Sequence, residues 1–134
     1  MLLDKIKTRG QDMALLEGHD RLHYIIDEAR DMEPLPEKFK TEDNKIRGCV
    51  SNLWVTGKVL ENGTMQYRHD ADAFVTKGTA KILIDIVNGE HRSEVANLKM
   101  DDFRHLGIKE LLTMQRQIGF ASLIERIIKI ARDD

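Results

Sequence analysis

The chain has a single cysteine, Cys49, among its 134 residues. No disulfide can close within it, and no zinc or iron–sulfur site can be built from its own thiolates alone. A lone thiol suits a reducing cytoplasm, which is the expected location. Long hydrophobic runs are missing as well. The longest, Ile82 to Val87, is interrupted by Asp85, well short of the ~20 apolar residues that span a bilayer. Met1-Leu2-Leu3 passes at once into Asp4, Lys5 and Lys7, so neither a signal peptide nor a membrane attachment is expected. Charge of one sign is not in excess. Lys and Arg number 21 against 23 Asp and Glu, for a net −2, without the polybasic footprint of a nucleic-acid binder. There are only two prolines, Pro34 and Pro36, and no repeat or low-complexity stretch marks a linker.

What is present fits one compact domain over residues 1–134, with 41% hydrophobic residues to build a core. Gly10 and Gly18 punctuate the N-terminal stretch. Asp20 reads as the N-cap of a helix whose apolar stripe is Leu22, Ile25, Ile26 and Ala29. Pro34 and Pro36 end it, because neither can donate a backbone hydrogen bond. Glu37 to Lys45 is polar and reads as a loop. Val50 to Val59 reads as a strand, Asn62-Gly63 as a hairpin turn and Met65 to His69 as the return strand. A two-residue turn does not align the apolar faces of these strands, so the pattern leaves the register open. Phe74 to Val87 reads as a buried helix stopped at Asn88-Gly89. Short helices are expected over Ser93–Asn97 and Phe103–Met114. Phe120, Leu123, Ile124, Ile127, Ile128 and Ala131 carry the stripe of a final helix. The fold class is α+β: a small antiparallel sheet packed on one side by several helices.

Cys49 falls where the polar loop meets the first strand. Only a thiolate is nucleophilic, and an unperturbed cysteine has a pKa of about 8.5. Arg47 is close enough in sequence to favour the charged form. Gly48 lets the backbone bend sharply beside the sulfur. Taken alone, the same residue also suits a small buried hydrophobe at a strand start. His19 and His23 have the i, i+4 spacing of a metal pair, but no HExxH motif or cysteine partner supports a site. None of the five histidines is placed near Cys49 by sequence as the base a thiol hydrolase needs. Asp72 reads as the N-cap of the Phe74–Val87 helix, and Trp54 as a core residue.

The segment Asp43-Asn44-Lys45-Ile46-Arg47-Gly48-Cys49-Val50-Ser51-Asn52-Leu53-Trp54 resembles the Cys loop of SufE-family sulfur acceptors. That pattern runs Glu-Asn, any, Ile, any, Gly-Cys, any, Ser, any, Val-Trp; Asp43 and Leu53 are mild replacements. Tyr24-Ile25-Ile26, Leu35-Pro36, the stretch Asp70 to Gly78, Leu106-Gly107, and Arg116 with Gly119 resemble further family elements in order. The likeness covers Tyr24 to Glu125. Met114, Ile118 and Phe120 depart from it, standing where the family has Pro, Asn and Leu.

The resemblance implies a SufE/IscU-like fold and a persulfide-forming role for Cys49. The donor would be a SufS-like cysteine desulfurase, which this protein would also stimulate. The sulfur would pass to a SufBCD-like scaffold for iron–sulfur cluster assembly. Gly48, Arg47, Ser51 and Asp72 would support the loop, and Arg116 would face the desulfurase. No metal or cofactor of its own is implied, since the pyridoxal phosphate belongs to the partner, and no stand-alone activity is expected. A CsdE-like acceptor serving another sulfur pathway, such as tRNA modification, is the alternative. A cluster scaffold is disfavoured, because it needs more thiolates than this chain has.

Overall fold

A computed structural model describes residues 2–30, 32–48 and 51–133. Two helices come first, α1 (Leu2–Ala14) and α2 (Gly18–Arg30), then a 3-10 turn at Glu37–Phe39. Strands β1 (Leu53–Val59) and β2 (Met65–Ala71) follow, then α3 (Phe74–Val87) and α4 (Arg92–Ala96). Two more 3-10 turns, Met100–Leu106 and Lys109–Leu111, lead into α5 (Met114–Asp133).

The hairpin register resolves the mismatch left by the sequence. Val59 pairs with Met65, Gly57 with Tyr67, Val55 with His69 and Leu53 with Ala71. The turn therefore spans Glu61, Asn62 and Gly63, not two residues. Leu60 N donates to Thr64 O at 2.8 Å, and Gly63 takes a φ of +83°, the left-handed position of a three-residue hairpin loop. The Asn62 Oδ1 accepts from both the backbone N and the hydroxyl of Thr64. One extra turn residue brings Leu53, Val55, Met65 and Tyr67 to the buried face together, as the period of two requires.

That face packs on α3 and α5. Gly57 has no Cβ to oppose the Tyr67 ring; one placed there would lie 2.7 Å from Tyr67 Cδ1. The ring passes over it, and the Tyr67 hydroxyl donates to Ile127 O at 2.7 Å. The core gathers Ile6, Ile25, Ile82, Leu83, Leu123 and Ile127, all essentially without exposure. Burying each side chain contributes about 1.5–3 kcal/mol before the entropy of ordering is counted. Trp54 points away from this face and is only half buried, with the Lys40 ammonium 5.4 Å from its ring centroid. It is not the core residue its sequence context suggested.

Several elements differ from the sequence pattern for identifiable reasons. Gly10 does not interrupt the N-terminal stretch; α1 runs through it, because a Cβ there would collide with the His105 carbonyl oxygen. It is a close-packing glycine and not a helix stop. Helix α2 starts at Gly18, so Asp20 lies in its first turn and meets the positive end of the dipole without capping. The helix expected over Phe103–Met114 is absent. Gly107, left-handed at φ +66°, closes the first of two 3-10 turns there, and Met114 belongs to α5. The α3 bounds are those read from the sequence.

Candidate functional site

The residues ahead of Cys49 join the sheet briefly. Lys45 forms an isolated antiparallel bridge with Trp54. Ile46 N donates to Leu53 O at 2.7 Å, and Val55 N donates to Asn44 O at 2.9 Å. The described residues 47–48 and 51–52 thus belong to a segment whose base is closed on the edge of β1. Cys49 and Val50 lie outside the described residues. The strand expected from Val50 begins, among the described residues, at Leu53. Gly48 and Ser51 are the nearest described residues on either side of Cys49 in sequence.

Gly48 has a φ of +86°, the left-handed region in which only glycine sits without steric cost. It rests on α5: a Cβ there would lie 3.1 Å from Ile118 Cγ2 and 3.6 Å from Ser122 Oγ. On the far side of the loop, the hydroxyls of Ser51 and Thr76 lie 3.4 Å apart. Asn52 Nδ2 donates to Asp72 Oδ2 at 2.7 Å, and Asp72 N returns a bond to Asn52 O at 3.1 Å. Asp72 therefore does not cap α3. Ala73 occupies the N-cap position and no side chain caps it. Extended backbone at Ala73 points the preceding carboxylate back to the loop.

Beside Ser51 opens a cavity of about 260 Å³. Leu53, Leu112, Phe120 and Leu123 make it largely apolar; Thr76 and the exposed Arg116 contribute polar atoms. Arg47 lines a different groove of about 210 Å³, with Ser122, Glu125, Arg126 and Lys129 of α5. Gly48, Ser51 and Asp72 thus belong to the loop or brace it, Ser51 and Arg116 line the cavity, and Arg47 lines the separate groove.

Two structural groups escaped the sequence reading. Asp70 is buried, 4% exposed. It accepts from Leu35 N at 3.0 Å and Ala71 N at 2.8 Å, and its carboxylate lies 3.0 Å from Lys77 Nζ. Burial alone would raise its pKa; the Lys77 hydrogen bond and the two backbone donors outweigh it and hold the carboxyl below its usual range. Asp70 so ties the Leu35-Pro36 turn to β2 and α3. The other is Arg126, whose guanidinium bonds the carbonyls of Asp43 and Lys45 at 3.0 and 3.3 Å. These links cross 83 and 81 positions of sequence, and no local pattern signals such contacts. His69 is the buried histidine; its Nε2 lies 3.3 Å from Lys77 O. Among the described residues, no group of three His, Cys, Asp or Glu is gathered to hold a metal ion, and no helix is long and apolar enough to cross a membrane.

The described residues form an α+β scaffold that holds the stems of the Cys49 loop between α3 and α5. The chain belongs to the SufE family, whose sequence model, described as an Fe-S metabolism associated domain, matches residues 8–131. An uncharacterised SufE-like protein of Rhizobium meliloti (strain 1021) is 33% identical over 122 residues, covering 87% of this chain and 86% of that one. The sulfur acceptor protein CsdE of Escherichia coli (strain K12) is 28% identical over 115 residues, covering 85% and 78%. The solution structure of a hypothetical protein from Thermus thermophilus superimposes with a TM-score of 0.79 at 21% identity, covering 96% of this chain and 93% of that one. That likeness concerns the fold alone.

Proposed function

We propose that this protein accepts a persulfide sulfur from a cysteine desulfurase onto Cys49, stimulates that enzyme, and relays the sulfur to iron–sulfur cluster assembly. The observation that carries the reading is the braced loop. Its stems are fixed to β1, α3 and α5, and Ser51, two positions after Cys49, lines a largely apolar cavity. The chemistry needs one thiol and little else. The Cys49 thiolate attacks the terminal sulfur of the donor's persulfide. A new S–S bond forms on Cys49, the donor's S–S bond breaks, and the donor cysteine leaves as a thiolate. The sulfane sulfur moves without any external oxidant or reductant.

Three features support the parts of this proposal. Arg47, Arg126 and Lys129 outnumber Glu125 in the groove on one flank of the loop, a local excess of positive charge that favours a thiolate. The largely apolar cavity at Ser51 offers a recess for a persulfide between donor and acceptor. Arg116 sits at the start of α5 among exposed apolar side chains, Met114 at 73% and Ile118 at 54%, a mixed surface suited to a docking partner. Pyridoxal phosphate is the partner's cofactor, and the sulfur recipient is a SufBCD-like scaffold in the cytoplasm. The 28% identity to CsdE favours, as a second reading, the same transfer serving another acceptor pathway such as tRNA modification.

The test is sulfide release by a SufS-type desulfurase, titrated with this protein under reducing conditions. Wild type should raise the rate saturably and Cys49→Ser should not. Equal stimulation by Cys49→Ser would make the protein an allosteric activator and remove the acceptor role.

A further inference from the structure

The short strand segment before the loop has an open edge. In the Lys45–Trp54 bridge, the inward hydrogen bonds are made by Ile46 N and Asn44 O. The carbonyls of Asp43 and Lys45, one position to either side, therefore point away from β1. Such outward carbonyls need partners. Arg126 supplies them: Nη1 donates to Asp43 O at 3.0 Å and Nη2 to Lys45 O at 3.3 Å. A planar guanidinium can serve two parallel acceptors at once, and an ammonium cannot hold that fork. Ile118 and Ser122, beneath Gly48, precede Arg126 on α5 at i−8 and i−4, so one face of this helix underlies the loop from its stem to Gly48.

We infer that Arg126 is a positioning residue, fixing the stem of the Cys49 loop to α5 by its paired bonds to the Asp43 and Lys45 carbonyls. The consequence for sulfur transfer rests on the acceptor reading. Arg116 lies ten residues earlier on the same helix, about 15 Å along a rigid rod. The loop and the proposed docking surface then share one support, and a donor seated near Arg116 meets the loop at a set distance. Without Arg126 the open edge is left to water and the stem samples more conformations.

The experiment compares wild type, Arg126→Gln and Arg126→Lys by the rate of Cys49 alkylation with iodoacetamide across pH. Thermal unfolding and sulfur uptake from a desulfurase are measured alongside. The plateau rate at high pH reads loop freedom, and the midpoint reads the charge around the thiol. Arg126→Gln should raise the plateau by about threefold or more, as expected for losing hydrogen bonds to a charged donor, and should also raise the midpoint, because one positive charge leaves the groove beside the loop. Arg126→Lys should fall between it and wild type, and still decides the matter if Arg126→Gln unfolds. In uptake, half-saturation should rise more than the maximal rate falls. An unchanged plateau, or a shifted midpoint alone, overturns the inference. Absence of sulfur uptake by wild type would remove the acceptor reading instead, and the alkylation comparison would still test the clamp.

Discussion

Replacing Gly48 by alanine separates what the loop needs from its backbone and what it needs from its space. At φ +86° an L side chain costs about 1–2 kcal/mol. The new Cβ would sit 3.1 Å from Ile118 Cγ2, tighter than ordinary contact, but Ile118 is 54% exposed and can turn aside. The contact should therefore add only a few tenths of a kcal/mol. Loss of chain entropy in the unfolded state returns about 0.5 kcal/mol. The net destabilisation should be about 1–1.5 kcal/mol, lowering Tm by roughly 3–6 °C in a chain of this size. Gly107 is the internal control: it is also left-handed, at φ +66°, and a methyl group added there would meet nothing within 4 Å. Gly107→Ala should cost a similar amount in urea unfolding and leave sulfur uptake unchanged. Gly48→Ala should slow uptake severalfold, and Gly48→Val, β-branched, should do so more. A Gly48→Ala protein as stable as wild type and equally fast in uptake would refute the reasoning.

Asp72→Ala removes the acceptor for Asn52 Nδ2 and should speed alkylation of Cys49; unchanged kinetics would limit Asp72 to local turn structure. Arg116→Ala should raise the concentration of this protein needed for half-maximal stimulation of the desulfurase, more at low salt than at high, with a smaller change in maximal rate; identical titrations at both salts would put Arg116 outside the interface. His69 is held near pKa 4, chiefly because burial strips its charged form of water. The unfolded chain takes up that proton near 6.5, and the folded chain only near 4. Stability present at neutral pH is therefore lost as pH falls through this window, by at most about 1.4 kcal/mol per pH unit. Urea midpoints for His69→Gln should decline less steeply between those limits than wild type; parallel curves would show that other groups carry the acid sensitivity.

What was legible in the sequence was local. The Phe74–Val87 helix, the hairpin and the final apolar stripe announce themselves within a window of a few residues, and the structure reproduces all three. The Cys loop was legible as a motif, through its family resemblance. What failed needed knowledge of distant backbone. Gly10 looks like punctuation until the His105 carbonyl stands against it. Asp72 looks like a cap until the extended Ala73 turns it toward Asn52. The hairpin register depended on one extra turn residue, which decides both faces of the sheet. The ties made by Asp70 to Leu35 and by Arg126 to Asp43 and Lys45 had no local signal, because each reaches backbone groups brought near only by folding.

The central claim, that Cys49 carries sulfur, is tested most directly by intact mass after incubation with a cysteine desulfurase and cysteine in the absence of reductant. Wild type should gain one or more sulfur atoms, located by peptide mapping to Cys49 and released by dithiothreitol, and Cys49→Ser should gain none. A wild-type mass that stays unchanged while the desulfurase turns over, or an equal gain on Cys49→Ser, would contradict the account.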